Sequence, residues 1–285
     1  MILPEQDYQV ANRHGKPLFT TLTLPPSPRN GVPLLLILHG FKGFRNYSFL
    51  PWTAQHAASN GMAALRMCFS MNGMGNTSWL VQSTDDFARN TISTECDDVA
   101  DLVDAVMHAP EFQPLQGVWN GQISLLGHSR GGGIAMIAAR ELMHSHPDRL
   151  KNVAVWNSVG TWIRWTPRQA QVWKDAGMFE MQNQRTMQLL RMNASYIDDI
   201  ETNMSRLDLS TACAAIADRL RVVHAESDLT VPLREIMQLV QSCAQDQALR
   251  VIQQTTHTFG MEHPVHRITQ GFIHALDHTF PWIGQ

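Results

Sequence analysis

The chain of 285 residues has few of the features that mark secreted or membrane proteins. Its four cysteines lie far apart and form no C-x-x-C pair, so we interpret them as buried thiols in a reducing compartment rather than as a disulfide framework. Residues 1–10 lack the apolar run of a signal peptide, and no apolar run is longer than a strand. These absences predict a cytoplasmic protein that has no membrane partner.

Charge and histidine content argue against two further classes of function. The net charge is −3 and no run of Lys or Arg occurs, which disfavours a nucleic acid as partner. Thirteen histidines invite a metal site. However, the closest pairs, His144/His146 and His263/His266, have no acidic or thiol neighbours at zinc-site spacing. We therefore expect no structural metal.

What the sequence does contain is a hydrophobic fraction of 44%, which is ample for the core of one large domain. Apolar runs typical of buried strands alternate with segments typical of helices, as in parallel βαβ units. Strands are predicted before Gly127 and at 18–24, 34–38, 62–69, 153–156, 220–224 and 249–253. Helices are predicted at 46–60, 94–108, 134–144, 233–243 and 267–280. The pattern predicts an α/β fold with a doubly wound, mostly parallel sheet.

The helix at 94–108 carries several acidic residues. Thr94 is the first residue of a segment that resembles a capping box. Asp98, Asp101 and Asp104 suit the solvent-facing side of this helix better than a catalytic carboxylate pair.

The alternation stops between residues 159 and 208, and this segment predicts a cap or lid inserted after the sixth strand. Residues 1–158 and 209–285 then form the core of the fold. Within the insertion, Pro167 suits the start of a helix and Gly177 its end, a hairpin is predicted at 179–192, and 198–207 has helical character. Trp162 and Trp165 belong to a set of aromatic and methionine residues that either line a substrate pocket or form the cap's own core.

The stretch Gly127-His128-Ser129-Arg130-Gly131 joins a predicted strand to a predicted helix. Strand, G-x-S-x-G and helix together are typical of a nucleophile elbow, in which the serine hydroxyl stands above the edge of the sheet. Glycines on both sides remove Cβ atoms where the strand and helix backbones approach each other. The alternative is a glycine-rich turn with an incidental serine. His128 is interpreted as a packing residue.

Ser129 needs a base that takes its proton and an acid that orients the base. Asp228 and His257 each follow a predicted strand, and the order Ser, Asp, His is that of this type of fold. Since residues past the carboxyl ends of parallel strands converge, we expect these three to meet. Glu226 remains an alternative acid and His263 an alternative base.

A tetrahedral intermediate also needs donors for its oxyanion. The backbone N–H of Arg130, directly after the serine, is one candidate. The backbone N–H of Phe41, in the loop after the strand at 34–38, is the other. The side chain of Phe41 is then free to flank the acyl group.

These motifs together resemble the α/β-hydrolase superfamily, in particular its dienelactone-hydrolase-like and feruloyl (cinnamoyl) esterase-like serine hydrolases. The resemblance rests on Gly127-His128-Ser129-Arg130-Gly131-Gly132, His39-Gly40-Phe41, Asp228-x-x-Val231-Pro232, His257-x-Phe259 and Asn72-Gly73-x-Gly75-x-x-Ser78. It implies an esterase that hydrolyses small-molecule carboxylic esters through an acyl-enzyme and without a cofactor. Two residues depart from these branches: Ser129 stands in place of the cysteine of dienelactone hydrolases, and Arg130 in place of the usual glutamine of cinnamoyl esterases.

Other functions remain compatible with the same residues. A thioesterase or a small-peptide or amide hydrolase would use the same triad, and a binding protein of this fold would keep the scaffold without catalysis. The apolar residues of the insertion suit a pocket or a subunit interface, so a homodimer is also left open.

Overall fold

A computed structural model describes residues 2–28, 31–76 and 79–284. The strands are β1 (Glu5–Ala11), β2 (Pro17–Thr23), β3 (Val32–Leu38), β4 (Ala63–Met67), β5 (Trp119–His128), β6 (Leu150–Trp156), β7 (Met178–Gln182), β8 (Leu189–Asn193), β9 (Leu220–Ala225) and β10 (Leu249–Ile252). The helices are α1 (Leu50–Ser59), α2 (Thr84–Arg89), α3 (Ile92–His108), α4 (Gln113–Gln116), α5 (Arg130–Ser145), α6 (Pro167–Ala176), α7 (Ser195–Thr202), α8 (Leu209–Ala215), α9 (Leu233–Ser242) and α10 (Gln270–Ile283).

Eight of these strands form one sheet in the order β1-β2-β4-β3-β5-β6-β9-β10. From β4 to β10 all neighbouring strands are parallel, whereas β1 and β2 are joined antiparallel at one edge. This arrangement confirms the predicted α/β fold with a doubly wound, mostly parallel sheet. The strand order reverses beside β3 and β5, and in such sheets a ligand site lies at this position, past the carboxyl ends of the strands.

The central strand β3 shows why the sheet is covered on both faces. Leu34, Leu36 and Leu38 belong to the hydrophobic core that includes α3 and α5. Leu35 and Ile37 belong to a second core that includes α1 and α10. Because side chains alternate along a strand, a continuous apolar run fills both cores, as expected for a parallel strand between two helical layers.

The edge strand β1 was not predicted, because only Val10 of its residues is buried. Its charged side chains instead pair with buried arginines. Glu5 lies 2.6 Å from Arg66 and Asp7 lies 3.1 Å from Arg45, and both guanidinium groups are almost fully buried. An edge strand held by backbone pairing and ion pairs leaves no hydrophobic alternation in the sequence.

Helix α3 begins at Ile92, earlier than predicted. Its N-cap is Thr91, whose hydroxyl accepts a hydrogen bond from the backbone N–H of Thr94, so the prediction of Thr94 as the cap is wrong. The helices α1 and α10 begin later than predicted, at Leu50 and Gln270.

Asp98 of α3 does not face solvent, so that prediction is wrong for this residue. Its side chain is buried and accepts hydrogen bonds from Asn12 Nδ2 at 2.9 Å and from the backbone N–H of Ser70 at 2.7 Å. Asp101 is half-buried and Asp104 is exposed, as expected for the helix surface. Asp98 therefore ties α3 to two loops.

The segment 159–208 lies outside the main sheet and contains the predicted helix and hairpin. Helix α6 starts with a capping box formed by Thr166 and Gln169 and ends at Gly177, whose φ is 73°. Strands β7 and β8 pair antiparallel. Helix α7 lies a few residues earlier than predicted, and α8, which follows the segment, was not predicted.

The four cysteines are free thiols, as predicted; Cys68, Cys96 and Cys213 are buried, whereas Cys243 is half-buried. Among the helices that the structure describes, none has the length and apolar character needed to cross a bilayer.

Candidate active site

Ser129 lies between β5 and α5 in a conformation that non-glycine residues rarely adopt, with φ 57° and ψ −121°. Tight packing surrounds this turn. A Cβ atom on Gly127 would overlap the backbone carbonyl of Gly131, and one on Gly131 would overlap the carbonyl of His39. The backbone therefore has the sharp turn between strand and helix that the elbow motif predicts.

His257 and Asp228 lie within hydrogen-bond distance, since His257 Nδ1 is 2.7 Å from Asp228 Oδ2. The other carboxylate oxygen of Asp228 accepts hydrogen bonds from the backbone N–H groups of Thr230 and Val231, at 2.8 and 2.9 Å. Burial raises the pKa of Asp228, but the hydrogen bonds from His257 and from the two N–H groups outweigh this effect and bring the pKa below its ordinary value. An ionised Asp228 holds the proton of His257 on Nδ1 and leaves Nε2 as an acceptor.

His257 is hydrogen-bonded to His128, the residue before Ser129. His128 Nε2 donates to the carbonyl oxygen of His257 at 2.9 Å, and the two imidazole rings lie 4.7 Å apart. Asn157 Nδ2 donates to the same carbonyl at 2.7 Å. Burial lowers the pKa of His128 to about 3, so this ring is neutral. In the described part of the chain, no hydrogen bond reaches Ser129 Oγ.

The alternative acid and base do not join this pair. Glu226 is exposed, and its Oε2 lies 3.4 Å from the backbone nitrogen of Gln254. His263 Nδ1 accepts a hydrogen bond from the backbone N–H of Ser48 at 3.1 Å, and its ring packs against Phe44 at 5.2 Å. The geometry thus places Asp228, rather than Glu226, beside His257.

The loop after β3 packs directly on the elbow. The backbone N–H groups of Phe41 and Arg130 donate to no residue that the structure describes. For Arg130 this is expected, because it begins α5 and the first N–H groups of a helix have no partner within the helix. His39 fixes the loop, because its Nδ1 donates to the carbonyl oxygen of Gly40 at 2.8 Å and its Nε2 accepts from the backbone N–H of Phe69 at 3.3 Å. Burial lowers the pKa of His39 to about 4, which keeps this ring neutral.

The side chain of Arg130 turns into the protein and forms a buried ion pair. Its Nη1 lies 3.2 Å from Glu95 Oε1. The guanidinium carbon lies 4.0 Å from the centre of the Phe41 ring and 5.2 Å from that of Tyr196. The sequence placed Tyr196 among the apolar residues of the insertion and Glu95 in the segment compared with a capping box, but it gave no sign that either contacts Arg130. Asn157, directly after β6, was missed.

A pocket of about 540 Å³ opens beside Phe41 and Arg130, whereas Ser129 and His257 do not line it. Trp165 is half-buried on its wall and packs against Trp173 with ring centres 5.6 Å apart. Trp162 also contributes to the wall, but it is almost fully buried and its Nε1 donates to the carbonyl oxygen of Leu207 at 2.7 Å. Trp162 therefore has a clear packing role, whereas Trp165 presents a ring to the cavity.

Two further expectations from the sequence concern a metal site and the glycine-rich loop at 72–78. Of the residues described, no three His, Cys, Asp or Glu side chains are grouped closely enough to hold a metal ion. Ser78, the last residue of the predicted glycine-rich loop, lies outside the described residues. Asn72 of the same loop is buried, and its Nδ2 lies 3.4 Å from His39 Nε2.

The chain shares its architecture with solved structures of low sequence identity. No protein-family model and no curated protein matches it. Est1E from Butyrivibrio proteoclasticus, solved with ferulic acid bound, is 17% identical and has a TM-score of 0.71 over 98% of this chain and 100% of its own. The esterase domain of a Rhodothermus marinus protein is 17% identical, with a TM-score of 0.58 and 90% of each chain covered. The α/β hydrolase GrgF from Penicillium sp. sh18 is 15% identical, with a TM-score of 0.66 over 99% of this chain and 100% of its own.

The strand order, the turn at Ser129 and these structural similarities all indicate the same fold. The chain has the α/β-hydrolase fold.

Proposed function

We propose that the protein is a serine hydrolase that cleaves carboxylic esters through an acyl-enzyme, with Ser129 as nucleophile, His257 as base and Asp228 as the acid that orients it. The observation that carries the proposal is the 2.7 Å contact between His257 and the buried Asp228. His257 is held beside the strained turn at Ser129, because its carbonyl oxygen accepts a hydrogen bond from His128. Esterases among the structures of the same fold support an ester as the substrate.

In the first step, Ser129 Oγ bonds to the carbonyl carbon while its proton passes to His257 Nε2. The imidazolium so formed is stabilised by Asp228, which remains ionised because its pKa is low. Collapse of the intermediate breaks the bond to the alcohol, which leaves with the proton from His257. Water then attacks the acyl-enzyme by the same two steps, with His257 again taking and returning the proton, and this releases the acid and restores Ser129.

The negative charge of each tetrahedral intermediate is assigned to the backbone N–H groups of Phe41 and Arg130. Both are without a partner among the described residues. Arg130 directly follows the serine, and Gly40, the residue before Phe41, packs against it. Donors that are fixed before the reaction stabilise a developing oxyanion by several kcal/mol, about 3 to 4 for one donor. No cofactor takes part in this scheme.

The segment 159–208 is proposed as the cap over a core formed by 1–158 and 209–285. It supplies most of the wall of the pocket, whereas Phe41 and Arg130 supply the side next to the reacting carbonyl. Phe41 and Trp165 are proposed to contact the substrate. Trp162 is proposed to contact the substrate only through the small part of its ring that reaches the pocket wall.

The test is hydrolysis of a p-nitrophenyl ester series by the wild type and by Ser129→Ala. Ser124→Ala is the matched control, since Ser124 lies in β5, is buried and has a hydroxyl without a hydrogen-bond partner. We expect turnover in the wild type and in the control and a loss of about 1,000-fold or more in Ser129→Ala.

Other outcomes separate the alternatives. Labelling of Ser129 by a fluorophosphonate without ester turnover would point to a thioesterase or amide hydrolase. A folded wild type that neither labels nor turns over any ester would overturn the proposal in favour of a binding protein.

A further inference from the structure

Arg130 has hydrogen-bonding groups that the protein itself does not use. A guanidinium carries five N–H donors in a planar fork. In Arg130 only Nη1 donates, to Glu95 at 3.2 Å, whereas Nε and Nη2 donate to no residue that the structure describes. The side chain is only 9% exposed. These two groups therefore stay available to an acceptor from outside the protein, on a side chain that is otherwise nine-tenths buried.

The pocket beside Arg130 is where such an acceptor would bind. Arg130 lines this cavity. Neither its Nε nor its Nη2 is among the fully buried atoms that lack a partner, so both keep some accessible surface. Two donors on one guanidinium suit a carboxylate, which accepts two parallel hydrogen bonds. The backbone N–H of the same residue is proposed to bind the ester carbonyl, so the carboxylate would lie a short distance from the scissile bond.

Charge around the pocket is predominantly positive. Its lining contains Arg130, Arg164 and Arg168 and no acidic side chain. Glu95 balances Arg130 from behind, and Glu235 pairs with Arg164 at 2.8 Å. Arg168 has no such counterpart among the described residues.

A further cation, Lys42, lies near the ring of Phe41. Lys42 Nζ lies 5.4 Å from the centre of the Phe41 ring and forms no salt bridge with a described residue. Burial, followed by the nearby Arg185 and Arg130, lowers the pKa of Lys42. The site therefore attracts a negative charge, while the rings of Trp165, Trp173 and Tyr196 and three methionines supply apolar walls.

We propose that the preferred substrates are monoesters of dicarboxylic acids, whose free carboxylate pairs with Nε and Nη2 of Arg130 while the spacer lies against the aromatic wall. This inference rests on the proposed ester hydrolysis and names its substrate class. The free carboxylate and the scissile carbonyl are then both held by one residue, through its side chain and its backbone.

The first experiment compares monomethyl esters of dicarboxylic acids, from succinate to sebacate, with methyl esters of monocarboxylic acids of equal chain length. Near pH 8 we expect kcat/KM for the best monoester to exceed that of its neutral counterpart by about 10- to 100-fold, the range of a hydrogen bond to a charged group. Equal values across every pair, with Ser129-dependent turnover retained, would overturn this inference and leave the proposed function intact.

Two variants change the preference in opposite directions. In Arg130→Gln the ratio of charged to neutral ester should fall by about 10-fold or more. In Glu95→Gln the shape is kept, and the amide nitrogen takes the position of an oxygen that has no partner. Removal of the balancing charge should raise the ratio, by about threefold or more. Arg191→Gln removes the same positive charge as Arg130→Gln, but at an exposed residue outside the pocket that pairs with Glu180. This control variant should leave the ratio unchanged.

Binding measurements test the inference apart from catalysis, and also cover the case in which Arg130→Gln does not fold. Ser129→Ala protein is titrated with suberate, its monomethyl ester and methyl octanoate, with tryptophan fluorescence as the signal. We expect the two carboxylates to bind at least about 10-fold more tightly than the neutral ester, and Glu95→Gln to strengthen their binding. Equal affinity for all three would overturn the inference even if no ester is hydrolysed.

Discussion

Gly40 lies so close to the elbow that a Cβ atom built on it would be 2.9 Å from Ser129 Cβ and 3.4 Å from its Oγ. The first distance is shorter than real Cβ contacts allow. The loop that carries the Phe41 N–H is therefore placed relative to the serine by the absence of a side chain at residue 40. This contact links the predicted nucleophile and the predicted oxyanion donor more directly than any hydrogen bond of the site.

Gly40→Ala should damage catalysis more than folding. The added methyl group pushes the loop away from Ser129, and a displacement of about 1 Å at a reacting centre lowers the rate by about 100-fold. The free energy of unfolding should fall by only about 1 to 3 kcal/mol. Activity on a small acetate ester and urea unfolding measure the two effects. Gly117→Ala is the control, because its Cβ would meet its nearest neighbour at 3.5 Å. Full activity in Gly40→Ala would contradict the close placement of the loop.

The two tryptophans of the segment 159–208 should respond differently to truncation. Trp165→Ala enlarges the pocket, so it should shift the preferred ester length with little change on an acetate ester. Trp162→Ala removes a ring that packs on Gly133 and donates to Leu207, so it should lower the free energy of unfolding by about 3 to 5 kcal/mol. Chain-length series and urea unfolding decide this. Equal losses on all esters in Trp165→Ala would indicate a structural role for that ring.

The sequence predicted the elements whose signal is local. The elbow at Ser129 requires small residues at fixed offsets, and Asp228 and His257 each follow an apolar strand. Helix α6 was predicted for the same reason, because Pro167 and Gly177 mark its start and end within a few residues. In each case neighbours in the chain decide the structure.

Contacts between distant segments left no such signal. Glu95 lies in a surface-like helical pattern, yet it is buried because Arg130 from another element supplies its counter-charge. Asp98 is buried for a related reason, since Asn12 and Ser70 donate to it. Strand β1 forms by pairing with β2, and its composition gives no hint of this.

Asp98 should make stability depend on pH. Burial is the largest influence on this carboxyl and raises its pKa to about 6, although Asn12 and Ser70 act in the opposite direction. Since the folded pKa exceeds the ordinary value, the folded state binds the extra proton, and the stabilisation present at low pH is lost as pH rises toward the folded pKa.

Asp98→Asn cannot titrate, so the wild type should lose about 2 kcal/mol of unfolding free energy relative to this variant between about pH 4.5 and about pH 7.5. Urea unfolding of both proteins at the two pH values gives the double difference. Asp101→Asn, on the half-buried helix surface, serves as the control. A constant difference between wild type and Asp98→Asn would refute the assignment of a raised pKa.

A second histidine lies beneath the acid of the site. His224 is fully buried, and its Nε2 donates to the carbonyl oxygen of Val231 at 2.9 Å and lies 3.7 Å from Asp228 Oδ2. Val231 in turn donates its backbone N–H to Asp228. Burial lowers the pKa of His224, so the ring is neutral and acts as a donor rather than as a charge. We therefore expect His224 to be a positioning residue for Asp228.

Substitution of His224 tests this role by its effect on turnover. His224→Leu removes the donor to Val231 and loosens the turn that holds Asp228, so kcat should fall by about 10-fold, the equivalent of one hydrogen bond, while KM changes by less than about twofold. His224→Gln keeps an N–H donor on a similar side chain and should recover kcat to within about threefold of the wild type. Steady-state kinetics on one ester, with urea unfolding of each variant, separate positioning from folding. If His224→Gln were as impaired as His224→Leu at equal stability, the hydrogen bond to Val231 would have no part in holding the acid.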